Sequence, residues 1–110
     1  MPRSRGDLVI VAAPGDYGKP RSAVIVQSNA IPESHGSIVI CRITSELVGA
    51  DFRITIEAGP ETGLRVRSQV MADKPVTIRR ERIGRRIGQL GPADMARLNV
   101  ALAFVMGLAD

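Results

Sequence analysis

Tryptophan is missing from this 110-residue sequence, and its aromatic residues stop at Tyr17, Phe52 and Phe104. A surface that stacks successive bases on a row of rings is therefore poorly supported, and binding of an anion must lean on arginine and backbone groups. Histidine occurs once, as His35, and cysteine once, as Cys41. With no Cys/His spacing for zinc and no glycine-rich phosphate loop opening a helix, an ordinary catalytic triad or metal hydrolase is not indicated. Cys41 cannot form an internal disulfide. Its place in the apolar segment 37–43 predicts a small buried hydrophobe in a reducing cytoplasm. Long apolar runs are lacking too: residues 8–14 and 99–108 fall far short of the roughly 20 residues of a membrane span. The basic start MPRSRGD leads directly into a strand-like stretch without the apolar region and cleavage site of an export signal. A cytoplasmic chain with no membrane segment is expected.

What is present is an ordinary globular balance, 45% hydrophobic and 24% charged, with a formal net charge of +4 that favours an anionic partner. The length fits one domain, residues 1–110, with a core small enough to benefit from dimerisation. Residues 8–11 and 22–26 are nearly continuous in Val, Ile and Leu, which predicts strands covered on both faces, joined by a turn-rich loop over residues 13–20. A polar loop, 28–36, leads to a third strand at 37–44. In residues 52–56, Phe52, Ile54 and Ile56 alternate with Arg53 and Thr55, so a half-exposed fourth strand is expected. Further strands are expected at 64–72, 75–78 and 85–90. Met95, Leu98, Leu102, Val105 and Met106 recur at helical spacing after Gly91 and Pro92 and before Gly107, predicting one amphipathic terminal helix. Many short β segments followed by one helix indicate a mainly β fold, a small, strongly bent antiparallel barrel with a C-terminal helix.

Arg79, Arg80, Arg82, Arg85 and Arg86 form the densest charge in the sequence. Such a run suits a phosphate backbone, the acidic residues of a partner protein, or simply a solvated surface. Arg21 opens the second strand and Thr44 closes the third. If these strands are neighbours, a guanidinium and a hydroxyl converge on one phosphate. His35, beside Gly36 in a polar loop, is of the residue type that serves acid/base work but has the setting of a solvated residue.

In order along the chain, Arg5-Gly6-Asp7-Leu8-Val9, the segment from Arg21 to Asn29, Cys41-Arg42-Ile43-Thr44-Ser45, Gly63-Leu64, the segment from Ser68 to Ile78 and Arg85-Arg86-Ile87-Gly88-Gln89-Leu90 resemble the MazF/PemK growth inhibitors of type II toxin-antitoxin systems. That resemblance implies an SH3-like barrel and a homodimer silenced by an antitoxin. It also implies sequence-specific cleavage of single-stranded RNA, such as mRNA, by 2′-hydroxyl attack, with no metal or other cofactor. It places the catalytic arginine at Arg21, the catalytic threonine at Thr44 and an acidic residue used in one branch at Asp73. Lys19, Ser28 and Asn29 in the loops, with Arg79, Arg80 and Arg82, are the expected RNA contacts. This sequence departs from the family pattern at Ser22, where proline is usual, and at Met71, where one branch has an arginine that accompanies the aspartate. Two alternatives stand beside this reading: a CcdB-like gyrase inhibitor on the same fold, against which the lack of tryptophan counts, and an inactive relative that only binds RNA or antitoxin.

Overall fold

The computed structural model describes residues 3–12 and 19–108. The β-branched runs become strands β1 (Asp7–Val11), β2 (Arg21–Ile25), β3 (Ser37–Thr44), β4 (Arg53–Ile56), β5 (Ser68–Arg79) and β6 (Ile83–Gln89), followed by helix α1 (Pro92–Val105). All six strands pair antiparallel in one sheet of order β4-β5-β3-β2-β1-β6. The mainly β fold with a terminal helix is thus as expected, and the barrel is partly open. β4 and β6 are its edges, and the loop after β4 bridges them: the Gln89 N–H donates to the Glu61 carbonyl at 2.9 Å. Residues 13–18, which carry Tyr17 and most of the loop expected between the first two strands, lie outside the described residues.

The continuous apolar runs are covered on both faces. Leu8, Val24 and Cys41 bury toward one cluster with Ile54, Ile56, Val70, Leu98 and Ala101. Their neighbours Val9, Val11, Ala23, Ile25, Ile38 and Ile40 bury toward a second. Period-two alternation sends successive side chains to opposite faces, so a run with no polar interruption can persist only where both faces are dry.

Two expected strands, 64–72 and 75–78, are instead one. Between the pairs Cys41↔Pro75 and Ile43↔Val70, β3 places only Arg42 against Met71, Ala72, Asp73 and Lys74. The segment Asp73-Lys74-Pro75 looks like a turn locally, but tertiary pairing absorbs it as a bulge. Pro75, which has no N–H to donate, sits at the shift in register, where a missing donor costs least. Residues 65–67 stay outside the strand, and Leu64 makes only an isolated bridge to Gly59. Across the bulge, Arg53 of β4 donates to both Asp73 carboxylate oxygens, at 2.8 and 3.3 Å. Arg53 is the register partner of Met71. The guanidinium that the family resemblance places at position 71 therefore reaches Asp73 from the neighbouring strand.

Helix α1 begins as expected, with Gly91 as N-cap and Pro92 in the first turn. It closes on Gly107, whose φ of 73° lets the Leu108 N–H reach back to the Ala103 carbonyl at 2.8 Å. Leu98 and Ala101 are buried, with Met95 and Leu102 packed beside them. Met106, expected on the same face, is 61% exposed because the helix stops at Val105 and the chain turns away.

Two outcomes follow from these contacts. A Cβ at Gly88 would lie 2.3 Å from the Thr62 backbone, so Gly88→Ala should cost about 1–3 kcal/mol, the range of overpacking. Urea denaturation measures this, and an unchanged midpoint would mean the loop yields without cost. The Arg53 hydrogen bond holds the Asp73 carboxyl below its ordinary value of 3.8. A depressed carboxyl stabilises the fold fully above its unfolded pKa and loses that contribution as pH falls through the folded one. Asp73→Asn should therefore lower stability at pH 7 by about 1–3 kcal/mol and flatten its decline below pH 3.8. Parallel stability curves for the two proteins below that pH would refute the assignment.

Candidate nucleic-acid cleft

Ala23 of β2 pairs with Arg42 of β3. Continuing the same antiparallel register two residues further along each strand brings Arg21 level with Thr44. Both line an open cleft of about 720 Å³, whose walls also include Ile10, Ser45, Arg65, Ser68, Arg85 and Arg86. That volume lies within the usual range of ligand sites, about 300–1,000 Å³. Among the described residues no carboxylate, imidazole or thiol lines it, while four arginines do. Arg86 is already engaged: its Nε donates to the buried Asp7 at 3.0 Å and its Nη2 to Gln89 at 2.8 Å. Arg21, Arg65 and Arg85 are exposed, and their side chains make no hydrogen bond or ion pair among the described residues.

Thr44 is oriented by its surroundings. Its Oγ1 accepts the Glu46 N–H at 3.1 Å, a short-range bond that turns the chain out of β3 and leaves the hydroxyl proton free to donate. Its strand partner Gln69 is buried. That side chain accepts the Val48 N–H at 3.0 Å and donates to the Val48 carbonyl at 2.9 Å and to Thr55 Oγ1 at 3.1 Å. The loop beside Thr44 is thereby tied to β5. The Arg65 loop is tied as firmly: Gly63, at φ 73°, faces the Ile87 carbonyl so closely that a Cβ would come to 2.2 Å. Thr62 Oγ1 donates to the Glu57 carbonyl at 3.1 Å, and Ser68 Oγ to the Val66 carbonyl at 2.9 Å.

The other expected site residues lie elsewhere. Asp73 is held by Arg53 and is not on the cleft wall. Lys19 is exposed ahead of β2. Ser28, Asn29 and Arg80 share a separate hollow of about 210 Å³ with Arg3 and Glu33. Within it Ser28 Oγ accepts the Ala30 N–H, Asn29 Oδ1 accepts the Arg5 N–H, and Arg80 donates to the His35 and Pro32 carbonyls. Arg79 is exposed at the end of β5, and Arg82 donates to the Ala12 carbonyl at 3.3 Å. The arginine run is thus split by a turn at Arg80–Arg82 rather than forming one stripe, and only Arg85 and Arg86 reach the cleft.

His35 lies just before β3, with Nε2 3.2 Å from Ser37 Oγ, whereas Thr44 ends that strand. At about 3.3 Å per residue the two ends stand roughly 23 Å apart, too far for the imidazole to serve a phosphate at Thr44. Burial pushes the Cys41 thiol up to about 12, so it holds its proton at neutral pH and packs as the expected small hydrophobe. Arg65, Arg85 and the supporting Gln69 were not among the expected site residues. Arg85 stood out only as a member of the arginine run and Arg65 carried no signal beyond its charge, because the loop and strand that bring them together are distant in sequence.

The chain matches the family model for the PemK-like, MazF-like toxin of type II toxin-antitoxin systems over residues 4–106. It is 38% identical over 106 residues to a protein of Mycolicibacterium smegmatis described as a probable endoribonuclease MazF, covering 96% of this chain and 97% of that one. A mycobacterial endoribonuclease solved in complex with its cognate antitoxin superposes with a TM-score of 0.81 at 26% identity, over 97% of each chain. A MazE–MazF structure from Deinococcus radiodurans gives 0.80 at 22% identity over 97% of each, a likeness of fold. With a model match spanning nearly the whole sequence, this chain belongs to the PemK/MazF family of type II toxin-antitoxin toxins.

Proposed function

We propose that the toxin is an endoribonuclease that cleaves single-stranded RNA in the Arg21–Thr44 cleft by metal-independent transesterification. The observation that carries this reading is the convergence of a guanidinium without a partner among the described residues and a free hydroxyl proton in a cleft whose charged wall residues are all arginines. The 2′-oxygen of the nucleotide before the cut attacks the adjacent phosphorus, the P–O5′ bond breaks, and the products are a 2′,3′-cyclic phosphate and a 5′-hydroxyl. The proton lost by the 2′-oxygen is balanced by the one gained at O5′, passed through water or a phosphate oxygen. Arg21 does not act as the base, since a guanidinium does not give up its proton near neutrality. It stabilises the charge that gathers on the phosphorane, and Thr44 donates a hydrogen bond to a non-bridging oxygen.

Asp73 is assigned here to the fold, through Arg53, rather than to the chemistry. The partners are a second copy of the chain and a cognate antitoxin. The relative solved with its own antitoxin supports the second. Val100, Phe104, Met106 and Leu108, exposed apolar residues in and just beyond α1, are surface that a protein partner would cover. Among the described residues no helix is long and apolar enough to cross a membrane.

The test is incubation of purified protein with a long single-stranded RNA in EDTA, with the fragment ends mapped. Wild type should give discrete cuts ending in cyclic phosphate. Arg21→Ala should slow cleavage by about 10²–10³-fold, the effect of removing one charge-stabilising donor, and Thr44→Val should slow it less. Intact RNA across diverse transcripts, with growth arrest still seen in cells, would sink the nuclease reading in favour of gyrase inhibition. Intact RNA without arrest would favour an inactive binder.

A further inference from the structure

We propose that Arg65 and Arg85 are positioning residues that grip the phosphates flanking the cut, so that the cleft takes at least three consecutive phosphates of a single strand. The inference rests on the nuclease reading for the identity of the strand, but its physical basis is separate. Three arginines from different elements, Arg21 at the start of β2, Arg65 in the loop after Gly63 and Arg85 in β6, line one cleft without a partner among the described residues. Other arginines are engaged: outside the cleft Arg53 pairs with Asp73, Arg67 with Glu57 and Arg97 with Asp94, Arg3, Arg5, Arg80 and Arg82 donate to backbone carbonyls, and within the cleft Arg86 pairs with Asp7. Gathering like charges without compensation raises the energy of the free protein, and a polyanion that enters removes that cost and releases its own counterions.

The backbone beneath both residues is fixed. The Arg65 loop is seated on β6 through Gly63 and Gly88, and a side chain at either position would drive backbone into backbone. Gly84, beside Arg85, lies so close to β1 that a Cβ would come within 2.9 Å of the Ile10 carbonyl. Charges on such supports stand at set distances from the Arg21–Thr44 pair. A flexible chain that satisfies all three arginines has its register, and therefore its cut position, fixed before any base is read. The planar guanidinium fork takes two oxygens of a phosphate or of a carboxylate alike, and it is the Arg21–Thr44 pair between these charges that favours a nucleic-acid strand over an acidic peptide.

The experiment is a fluorescence-anisotropy titration of a labelled, mixed-sequence 2′-O-methyl RNA strand, which lacks the attacking hydroxyl and stays intact. Wild type, Arg65→Gln, Arg85→Gln and, as control, Arg67→Gln are compared over a range of KCl concentrations. Each cleft variant should weaken binding and lower the slope of log K against log[salt] by about 0.7, the release expected for one single-strand phosphate contact. Arg67→Gln, whose side chain is paired with Glu57 outside the cleft, should leave the slope unchanged. On cleavable RNA both cleft variants should lower kcat as well as raise KM, because a bound strand that can turn about the scissile phosphate falls into line less often, and their melting temperatures should match wild type. Slopes equal to wild type overturn the proposal, as does an equal fall in Arg67→Gln, which would mean net charge alone. Loss of affinity confined to a polyglutamate peptide also overturns it, in favour of a protein partner. If the slopes fall as expected but no RNA is cut by wild type, the grip stands and the nuclease reading fails. If RNA is cut and the slopes do not move, the reverse holds.

Discussion

The near-contact of two backbones, the loop after β4 and strand β6, governs the shape of this toxin. The loop's Glu61 carbonyl accepts the Gln89 N–H, and Gly63 and Gly88 sit where even a methyl group would strike main-chain atoms. That contact substitutes for the ladder that β4 and β6 do not form, so it completes the curl of a sheet whose edges otherwise stand apart. It also sets the cleft, because Gly63-Leu64-Arg65-Val66 makes one wall and Arg85-Arg86-Ile87 another. Any force that separates the loop from β6 opens the fold and the site together. The buried Thr62, whose hydroxyl both donates and accepts within the loop, keeps the loop in the one shape that fits.

Charge is distributed with the same economy. Eleven acidic residues face fifteen basic ones, and several of the acids are used to brace arginines away from the cleft or beside it. Asp7 is the instructive case. Its buried carboxylate accepts the Ser4 N–H at 2.8 Å and the Arg86 guanidinium at 3.0 Å, so the Arg5-Gly6-Asp7 turn at the start of the chain anchors a residue near its end. Arg86 then contributes positive field to the cleft while being held by a fixed partner. Arg21, Arg65 and Arg85 have no such partner among the described residues and are left to an incoming anion.

The strands were legible where one physical rule decided them. Unbroken Val and Ile runs required two dry faces, and β1, β2 and β3 supply them. Reading failed where a local signal competed with a long-range one: Asp73-Lys74-Pro75 has turn chemistry, yet β3 pairs with the chain on both sides of it and turns a break into a bulge. Met106 continued the helical spacing but fell beyond the stop imposed by Gly107. At the site, the pairing of Arg21 with Thr44 could be framed from the sequence as a conditional, and the β2–β3 register meets the condition. The arginine run could not be resolved, because five residues close in sequence are parted by the turn at Arg80–Arg82. The loss of arginine at position 71 looked like damage to a pair. In space Arg53 restores the pair from β4, a compensation visible only once the strands are in register.

On the proposed mechanism, the described part of the cleft supplies charge stabilisation and alignment but no positioned base, since His35 is far along β3 and the Cys41 thiol holds its proton. Catalysis then depends on how often the 2′-oxygen, phosphorus and O5′ fall in line, a geometry that free single strands reach only occasionally. Holding reacting atoms in such a conformer is worth several kcal/mol in well-aligned systems, on the order of 7–11 at the limit. A strand gripped only at the scissile phosphate can still rotate about it, whereas one gripped on both sides has lost that freedom before reaction begins. This gives Arg65 and Arg85 a place in the chemistry without contact with the reacting atoms. It also explains why they stand on backbone that glycine packing has made rigid.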